Sequence, residues 1–500
     1  MLLSILSAIV LILSFPNFNL SFLAFFGFIP LFFAIEDKSP KNAFLIFYIT
    51  GFIFCIGVLY WLYHVTFIGL IILCLYLALY FGIFGLLFSL YAKRSTLYAM
   101  PLVWIILEYI QAHLFIMGFG WLSLGYSQYK NLPLIQIADF SGVYGVSFVV
   151  MMVNVAIWHV IARMFVKCHC EERSDEAILF LRLLRFARND KREILLLAMT
   201  SLVLIAGYTY GFFRLNERHG SNSIKISVIQ GNIPQELKWD PAAQDMIIEK
   251  YTALTKMASL DIPGLIVWPE TSFPGFFEID EEITNKVLNL AKDIKIPILI
   301  GANTERPSSF PLPEGERVRV RGYFNSAAFI SSQGKFIDKY DKIHLVPFGE
   351  YVPFSNKFPA LHKLVLGEIG EFTPGKDFKT FNLKPRTTND ERRMTNDETR
   401  FGVLICFEDI FPELSRKFVK SGAKFLIVIT NDAWYGKSGA AYQHTANSVF
   451  RAIENRTPIV RCANTGYSCF IDSRGRIYDS VEEKGSHLFV TGYKTSEVKF

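Results

Sequence analysis

Three residues far apart in the chain carry side chains that together would form a catalytic constellation built on a nucleophilic thiol. Cys406 ends the apolar run Phe401-Gly402-Val403-Leu404-Ile405 and is followed at once by Phe407-Glu408-Asp409, an acidic stretch that a buried structural thiol does not need. Glu270 stands in Trp268-Pro269-Glu270-Thr271-Ser272 and Lys342 in Tyr340-Asp341-Lys342-Ile343-His344, each close to apolar residues. A thiol attacks weakly until it is ionised. A carboxylate able to take its proton, with a lysine cation that favours the thiolate, would activate it. Cys462 and Cys469 lack such neighbours and read as structural.

The elements that must position these residues begin at about Ser221. Ile224 to Ile229, Gly264 to Trp268, Pro297 to Gly301, Phe324 to Ile330, Phe401 to Ile405 and Phe425 to Thr430 are short apolar, β-rich runs, and Asp245 to Met257 and Glu281 to Ile294 show helical periodicity. Strands of nearly continuous apolar residues imply a sheet covered on both faces, so the expected fold is a layered α/β sandwich. Glu270 and Cys406 then fall at strand ends.

The remainder of the chain has a different solvent. A mean hydropathy of +0.30 with 15% aromatic residues over 500 residues is too apolar for an ordinary soluble protein. The excess lies in the first ~215 residues, where apolar runs repeatedly approach the ~20 residues that span a bilayer. The candidate spans are Leu2 to Phe15, Leu20 to Ile35, Ala43 to Leu62, Phe67 to Tyr91, Leu97 to Leu114, Val143 to Ile161 and Ile194 to Phe213. Met1-Leu2-Leu3 has no basic n-region, so the first is expected to be a retained span. Lys38 and Lys41 follow the second span, Lys93 and Arg94 the fourth, and Arg163, Lys167 and Arg173 with further basic residues the sixth, whereas the intervening loops hold only Lys130. That alternation predicts a cytoplasmic N-terminus and a chain that emerges on the outer side after seven spans. The net charge of +6 is then largely an orientation signal and calls for no nucleic-acid partner. Glu108 is the ionisable residue inside a span; it is expected either to face protein or a polar cavity or to lie near the interface beside Tyr109 and His113.

Cys168 to Glu193, Arg306 to Arg321 and Pro385 to Arg400 are charged stretches that read as surface inserts without a part in the chemistry. Cys168, His169 and Cys170 lack a fourth ligand, so no metal site is expected, and no cofactor.

Several segments resemble one family. They are Phe15-Pro16-Asn17-Phe18-Asn19, Gly120-Trp121-Leu122-Ser123-Leu124-Gly125-Tyr126-Ser127-Gln128, Gly142-Val143-Tyr144-Gly145-Val146-Ser147-Phe148, Gln230-Gly231-Asn232-Ile233-Pro234-Gln235 and Lys238-Trp239. They continue with Trp268-Pro269-Glu270, His344-Leu345-Val346-Pro347-Phe348-Gly349-Glu350-Tyr351-Val352-Pro353, Cys406-Phe407-Glu408 and Thr430-Asn431-Asp432-Ala433-Trp434. The Glu, Lys and Cys motifs alone resemble the nitrilase, or carbon-nitrogen hydrolase, superfamily; with the spans and the Pro-Phe-Gly-Glu-Tyr-Val-Pro segment the chain is similar to the apolipoprotein N-acyltransferases.

The resemblance implies residues 1–215 as a polytopic transmembrane domain and 221–500 as an α-β-β-α nitrilase-like catalytic domain in the bacterial inner membrane, on the periplasmic side. It implies Glu270 as base, Lys342 as oxyanion partner with a main-chain N–H near Cys406, and Cys406 as nucleophile. Glu350 and Glu408 would orient the lysine, the base or the incoming amine, and Trp239 and Trp434 would line the acyl or headgroup pocket. The implied reaction moves an acyl chain from a phospholipid through a Cys406 thioester to the α-amine of the diacylglyceryl-modified N-terminal cysteine of an apolipoprotein. The family pattern adds a hydrophobic span after the catalytic domain, whereas this sequence stops at Glu497-Val498-Lys499-Phe500, so the C-terminus is expected either to be cut short or to lie free outside. Phe407 stands where related chains often carry Tyr, so no hydroxyl is expected to act there. A membrane-anchored amidase would share the three residues but have little use for so many spans. A transporter with an outer binding domain would be expected to carry several polar residues inside its spans.

Overall fold

The computed structural model describes residues 1–91, 97–113, 118–168, 191–217, 220, 222–307, 321–352, 372–383 and 398–500. They form two compact units, Met1–Glu217 and Arg218–Phe500. The greater part of each expected insert, residues 169–190, 308–320 and 384–397, lies outside the described residues, as do His169, Cys170 and Pro353.

In the first unit, Pro40–His64, Phe67–Tyr91, Ala138–Ala162 and Leu195–Asn216 are the helices long and apolar enough to cross a bilayer among the described residues. The first expected span is a helix of 13 residues, Leu2–Ser14, and the fifth one of 14, Met100–His113. The second is broken into a 3-10 turn, Ser21–Phe25, and a short helix, Ile29–Ala34, with Pro30 in its first turn. A broken segment leaves main-chain groups that hydrocarbon cannot satisfy, so protein must. Asn154 does so: its Oδ1 accepts from Phe28 N at 2.9 Å and its Nδ2 donates to Ala24 O at 2.8 Å. Glu108 is buried and plays the same part for the segment after Met100–His113, accepting from Trp104 Nε1 at 2.8 Å and from Leu124 N at 2.7 Å. Pro40–Leu59 and Phe67–Tyr91 pack closely because Gly51 offers bare backbone; a Cβ there would stand 2.6 Å from the Phe81 Cβ.

The second unit is built on β1 (Ser223–Gln230), β2 (Leu265–Val267), β3 (Ile298–Pro307), β4 (Arg321–Ile330), β5 (Phe336–Asp341), β6 (Thr380–Leu383), β7 (Thr399–Ile405), β8 (Phe425–Thr430), β9 (Ile459–Ala463), β10 (Cys469–Ile471), β11 (Ile477–Ser480) and β12 (Gly492–Lys499). One sheet has the order β12-β1-β2-β3-β4-β5 and the other β11-β10-β9-β8-β7-β6. Each holds three parallel strands, β1 to β3 and β7 to β9, continued by antiparallel strands on both sides. The sheets face one another: the Cys462 thiol of β9 donates to Ile229 O and Val267 O at 3.3 Å each, and Phe329 meets Phe401 edge-on at 5.6 Å. Helices Gln244–Ser259 and Glu281–Ile294 bury Ile247, Tyr251 and Val287 with Ile229, Ile266 and Ile300 of the first sheet. Pro412–Lys420 seats Phe418 on Gly402 of β7, where a Cβ would come within 2.8 Å of that side chain. The layers are thus α-β-β-α. Two of the inserts leave from the tips of antiparallel pairs, after Pro307↔Arg321 and Leu383↔Thr399, which is why the ladders close across them.

Candidate active site

Cys406 follows β7 directly and takes φ +53°, a left-handed conformation that L side chains rarely adopt, before the 3-10 turn Cys406–Ile410. Such a conformation costs on the order of 1–3 kcal/mol and persists only where neighbours enforce it. Glu408 is one enforcer. Its Oε2 accepts from Ile405 N at 2.8 Å, and its Oε1 accepts from Ile343 N at 2.7 Å, His344 N at 3.1 Å and Tyr340 Oη at 2.8 Å. It therefore ties the Cys406 turn to the loop that follows Lys342. Burial pushes its carboxyl up to about 7, against the pull of those three N–H donors.

Glu270 is held at both oxygens. Oε2 accepts from Asn431 N at 2.8 Å, just past β8, while Oε1 accepts from Asn325 Nδ2 at 2.7 Å and from Lys342 Nζ at 3.3 Å. Lys342 follows β5, is 1% exposed, and reaches Glu350 Oε1 at 2.9 Å. Glu350 is fixed in turn by Asn325 Nδ2 at 2.8 Å and Val346 N at 2.8 Å. One amide and one ammonium thus lie between two carboxylates.

The electrostatics follow from burial. Burial alone would lower Lys342, but Glu350 and Glu270 outweigh it and hold the ammonium well above the ordinary lysine range. Burial, and next the Glu270 charge, push the Cys406 thiol well up, and Lys342 opposes them. Burial therefore favours the neutral thiol, and a thiol so placed ionises only if a base takes its proton. Glu270, bound by three donors, is the carboxylate whose charge acts most on Cys406.

All seven residues singled out from the sequence are among those described. Glu270, Lys342, Glu350, Cys406 and Glu408 converge through these contacts. Trp239 and Trp434 are 53% and 47% exposed, so neither is a core residue. Among the described residues no group of three His, Cys, Asp or Glu side chains is arranged to hold a metal ion.

Residues 7–156 match the family described as apolipoprotein N-acyltransferase N-terminal domain, and residues 225–491 match the carbon-nitrogen hydrolase family. An apolipoprotein N-acyltransferase of Geobacter metallireducens is 39% identical over 490 residues, 95% of this chain and 86% of that protein. The chain belongs to the apolipoprotein N-acyltransferase family. Another member, from Chlorobaculum tepidum, is 30% identical over 504 residues, 95% of this chain and 87% of that protein. Among solved structures, Saccharomyces cerevisiae Nit3, a member of branch 10 of the nitrilase superfamily, matches with a TM-score of 0.40 at 18% identity, covering 57% of this chain and 92% of that one.

Sequence reasoning gave no role to four groups that hold this candidate site together. Asn325 and Asn431 hold Glu270, Tyr340 holds Glu408, and buried Lys238 donates to the Glu270 carbonyl at 3.1 Å and to Thr271 Oγ1 at 3.0 Å. Burial draws Lys238 down to about 7, against the Glu270 and Cys406 charges. The signal for Asn325 was a polar side chain inside the apolar run Phe324 to Ile330, and for Lys238 its place beside Trp239.

Proposed function

We propose that the protein transfers an acyl chain from a phospholipid to the α-amine of a diacylglyceryl-modified N-terminal cysteine, through a thioester on Cys406. The observation that carries this reading is the shared buried setting of Glu270 and Lys342 beside a neutral thiol on a strained turn. In the first half, Glu270 takes the thiol proton while sulfur attacks the ester carbonyl. Negative charge develops on the carbonyl oxygen, where Lys342 and a main-chain N–H next to Cys406 would stabilise it. Collapse expels the lysophospholipid alkoxide, which receives the proton from Glu270. In the second half the acceptor amine attacks the thioester, Glu270 takes the amine proton, and the tetrahedral adduct collapses to the amide with the sulfur regaining a proton. Glu350 orients Lys342, Glu408 fixes the turn, and exposed Trp239 and Trp434 offer apolar surface to a lipid substrate.

Both substrates would be bilayer-anchored, which gives a membrane unit of several spans its purpose. The charged loops after the second, fourth and sixth expected spans support an inner-membrane chain with its catalytic unit on the periplasmic side. The test is intact-protein and peptide mass spectrometry after incubation of the purified chain with phospholipid. Wild type is expected to gain one acyl mass on Cys406, labile to hydroxylamine, and Cys406→Ala none. If lipoprotein acylation proceeds while Cys406 never carries the chain, or if small amides are hydrolysed and no acyl group moves, the reading is wrong.

A further inference from the structure

Behind the nucleophile lies a set of buried charges that the chemistry above does not use. His444 comes from helix Ala440–Asn455, Asp409 from the Cys406–Ile410 turn, Asp432 from the turn after β8, and Arg461 from β9; all are buried. His444 Nδ1 lies 3.0 Å from Asp432 Oδ1. Its Nε2 lies 3.2 Å from the Cys406 carbonyl oxygen and 3.0 Å from Asp409 Oδ1. Arg461 spans the same two carboxylates, with Nη1 at 3.1 Å from Asp409 Oδ2 and Nη2 at 3.3 Å from Asp432 Oδ2. Ser448 donates to Asp409 at 2.5 Å and Thr430 to Asp432 at 3.1 Å.

Each of those oxygens facing the ring is an acceptor, a carboxylate or a carbonyl. A neutral imidazole has one N–H and would turn a lone pair on another acceptor, so the geometry demands both protons. Two carboxylates then balance one guanidinium and one imidazolium. The same ring touches the backbone of Cys406, the residue in the left-handed conformation, and the residue after Asn431, whose N–H holds Glu270.

We propose that His444, as an imidazolium, is a positioning residue that locks the carbonyl of the nucleophile and the cradle of the base into one register. Displacement of either by about 1 Å is enough to lower a rate roughly 100-fold. The groups facing the ring are Asp409, Asp432 and Arg461, with the Cys406 thiol and Tyr435 next to them. Burial and Arg461 push the imidazole down, but the two aspartates outweigh both and raise it to about 9.

The rate assay for this role rests on the acyl-transfer reading; a second readout, alkylation of Cys406 by iodoacetamide, does not. The full-length chain is compared with His444→Gln. Expected are acyl loading slowed by about 100-fold with KM for phospholipid unchanged, and a wild-type alkylation profile with a break near pH 9 that the variant lacks. Loading within threefold of wild type, or an unchanged alkylation profile in both proteins, overturns the proposal. Should His444→Gln not accumulate folded, the near-isosteric Asp409→Asn removes one carboxylate from the ring and is expected to move the break to lower pH. A break that stays in place also overturns it.

Discussion

Replacement of Lys342 by Met tests the electrostatic core of the site, since the side chain keeps its length and loses its charge. Lys342 Nζ stands 3.3 Å from Glu270 Oε1 and 2.9 Å from Glu350 Oε1. At an effective dielectric of about 20 each contact represents roughly 5 kcal/mol of attraction, before the desolvation of a buried ammonium is set against it. Without the ammonium the two carboxylates share only the Asn325 amide, which donates to Glu270 at 2.7 Å and to Glu350 at 2.8 Å. Two carboxylates that close then repel one another with no cation between them. The base is then compromised in the resting enzyme, and the oxyanion loses its cation in the transition state. Loss of one such donor lowers rates by about 10²–10³, or ~3–4 kcal/mol, and breaking a buried pair destabilises by about 3–5 kcal/mol. The assay is the rate of acyl mass gain on Cys406, read beside the thermal midpoint of the same preparation. Loading by Lys342→Met within threefold of wild type in a folded protein would refute the reasoning, and the oxyanion partner would have to be sought elsewhere.

Two further outcomes follow from the buried titrations. Asp432 is held at about 2, where burial is outweighed by His444 and Arg461, against an ordinary value near 4. It adds about 2.5 kcal/mol of stability above pH ~4 that is lost as pH falls through 2, and unfolding midpoints across that range should show it. His444, raised to about 9, adds stability that is complete below pH ~6.5 and lost as pH rises through 9, whereas Lys238, lowered to about 7, makes the folded chain gain stability between pH ~7 and ~10. The two slopes oppose each other between pH 7 and 9. Lys238→Met should unmask the alkaline decline, about 1.4 kcal/mol per pH unit, and slow acyl loading by freeing the Glu270 carbonyl; a midpoint flat from pH 7 to 9 in that variant would contradict the His444 assignment, and a slope equal to that of wild type the Lys238 one.

Cys406 and Glu270 could be singled out because each stands where an apolar run stops. Phe401 to Ile405 leads into Cys406, Gly264 to Trp268 toward Glu270, and these runs became β7 and β2. The strands left unread have reasons too. β9 carries Arg461 in its middle, a charge that only the buried Asp409 and Asp432 make tolerable, and β12 alternates polar and charged residues along a half-exposed edge. Asn325, Asn431 and His444 acquire their roles from residues a hundred or more positions away or from other elements, and no local spacing encodes such a meeting. In the membrane unit, counting apolar residues located the segments but not their breaks. Pro30 and the Asn154 contacts decide that Ser21 to Ala34 is two short pieces rather than one helix.

The pairing of β1 with β12 sets when the catalytic unit can exist. Ser223 is matched with Lys499 and Gln230 with Gly492, so the opening strand of the first sheet has its ladder partner on one side among the final residues. The thiol of Cys462 on β9 meets the β1 and β2 carbonyls across the sandwich, so the second sheet also joins this closure. Contacts of such sequence separation form slowly, because the chain between them must first be ordered. Until β12 is paired, the first sheet lacks one neighbour of β1, so the sandwich that holds Glu270, Lys342 and Cys406 together rests on a contact between residues far apart in the chain.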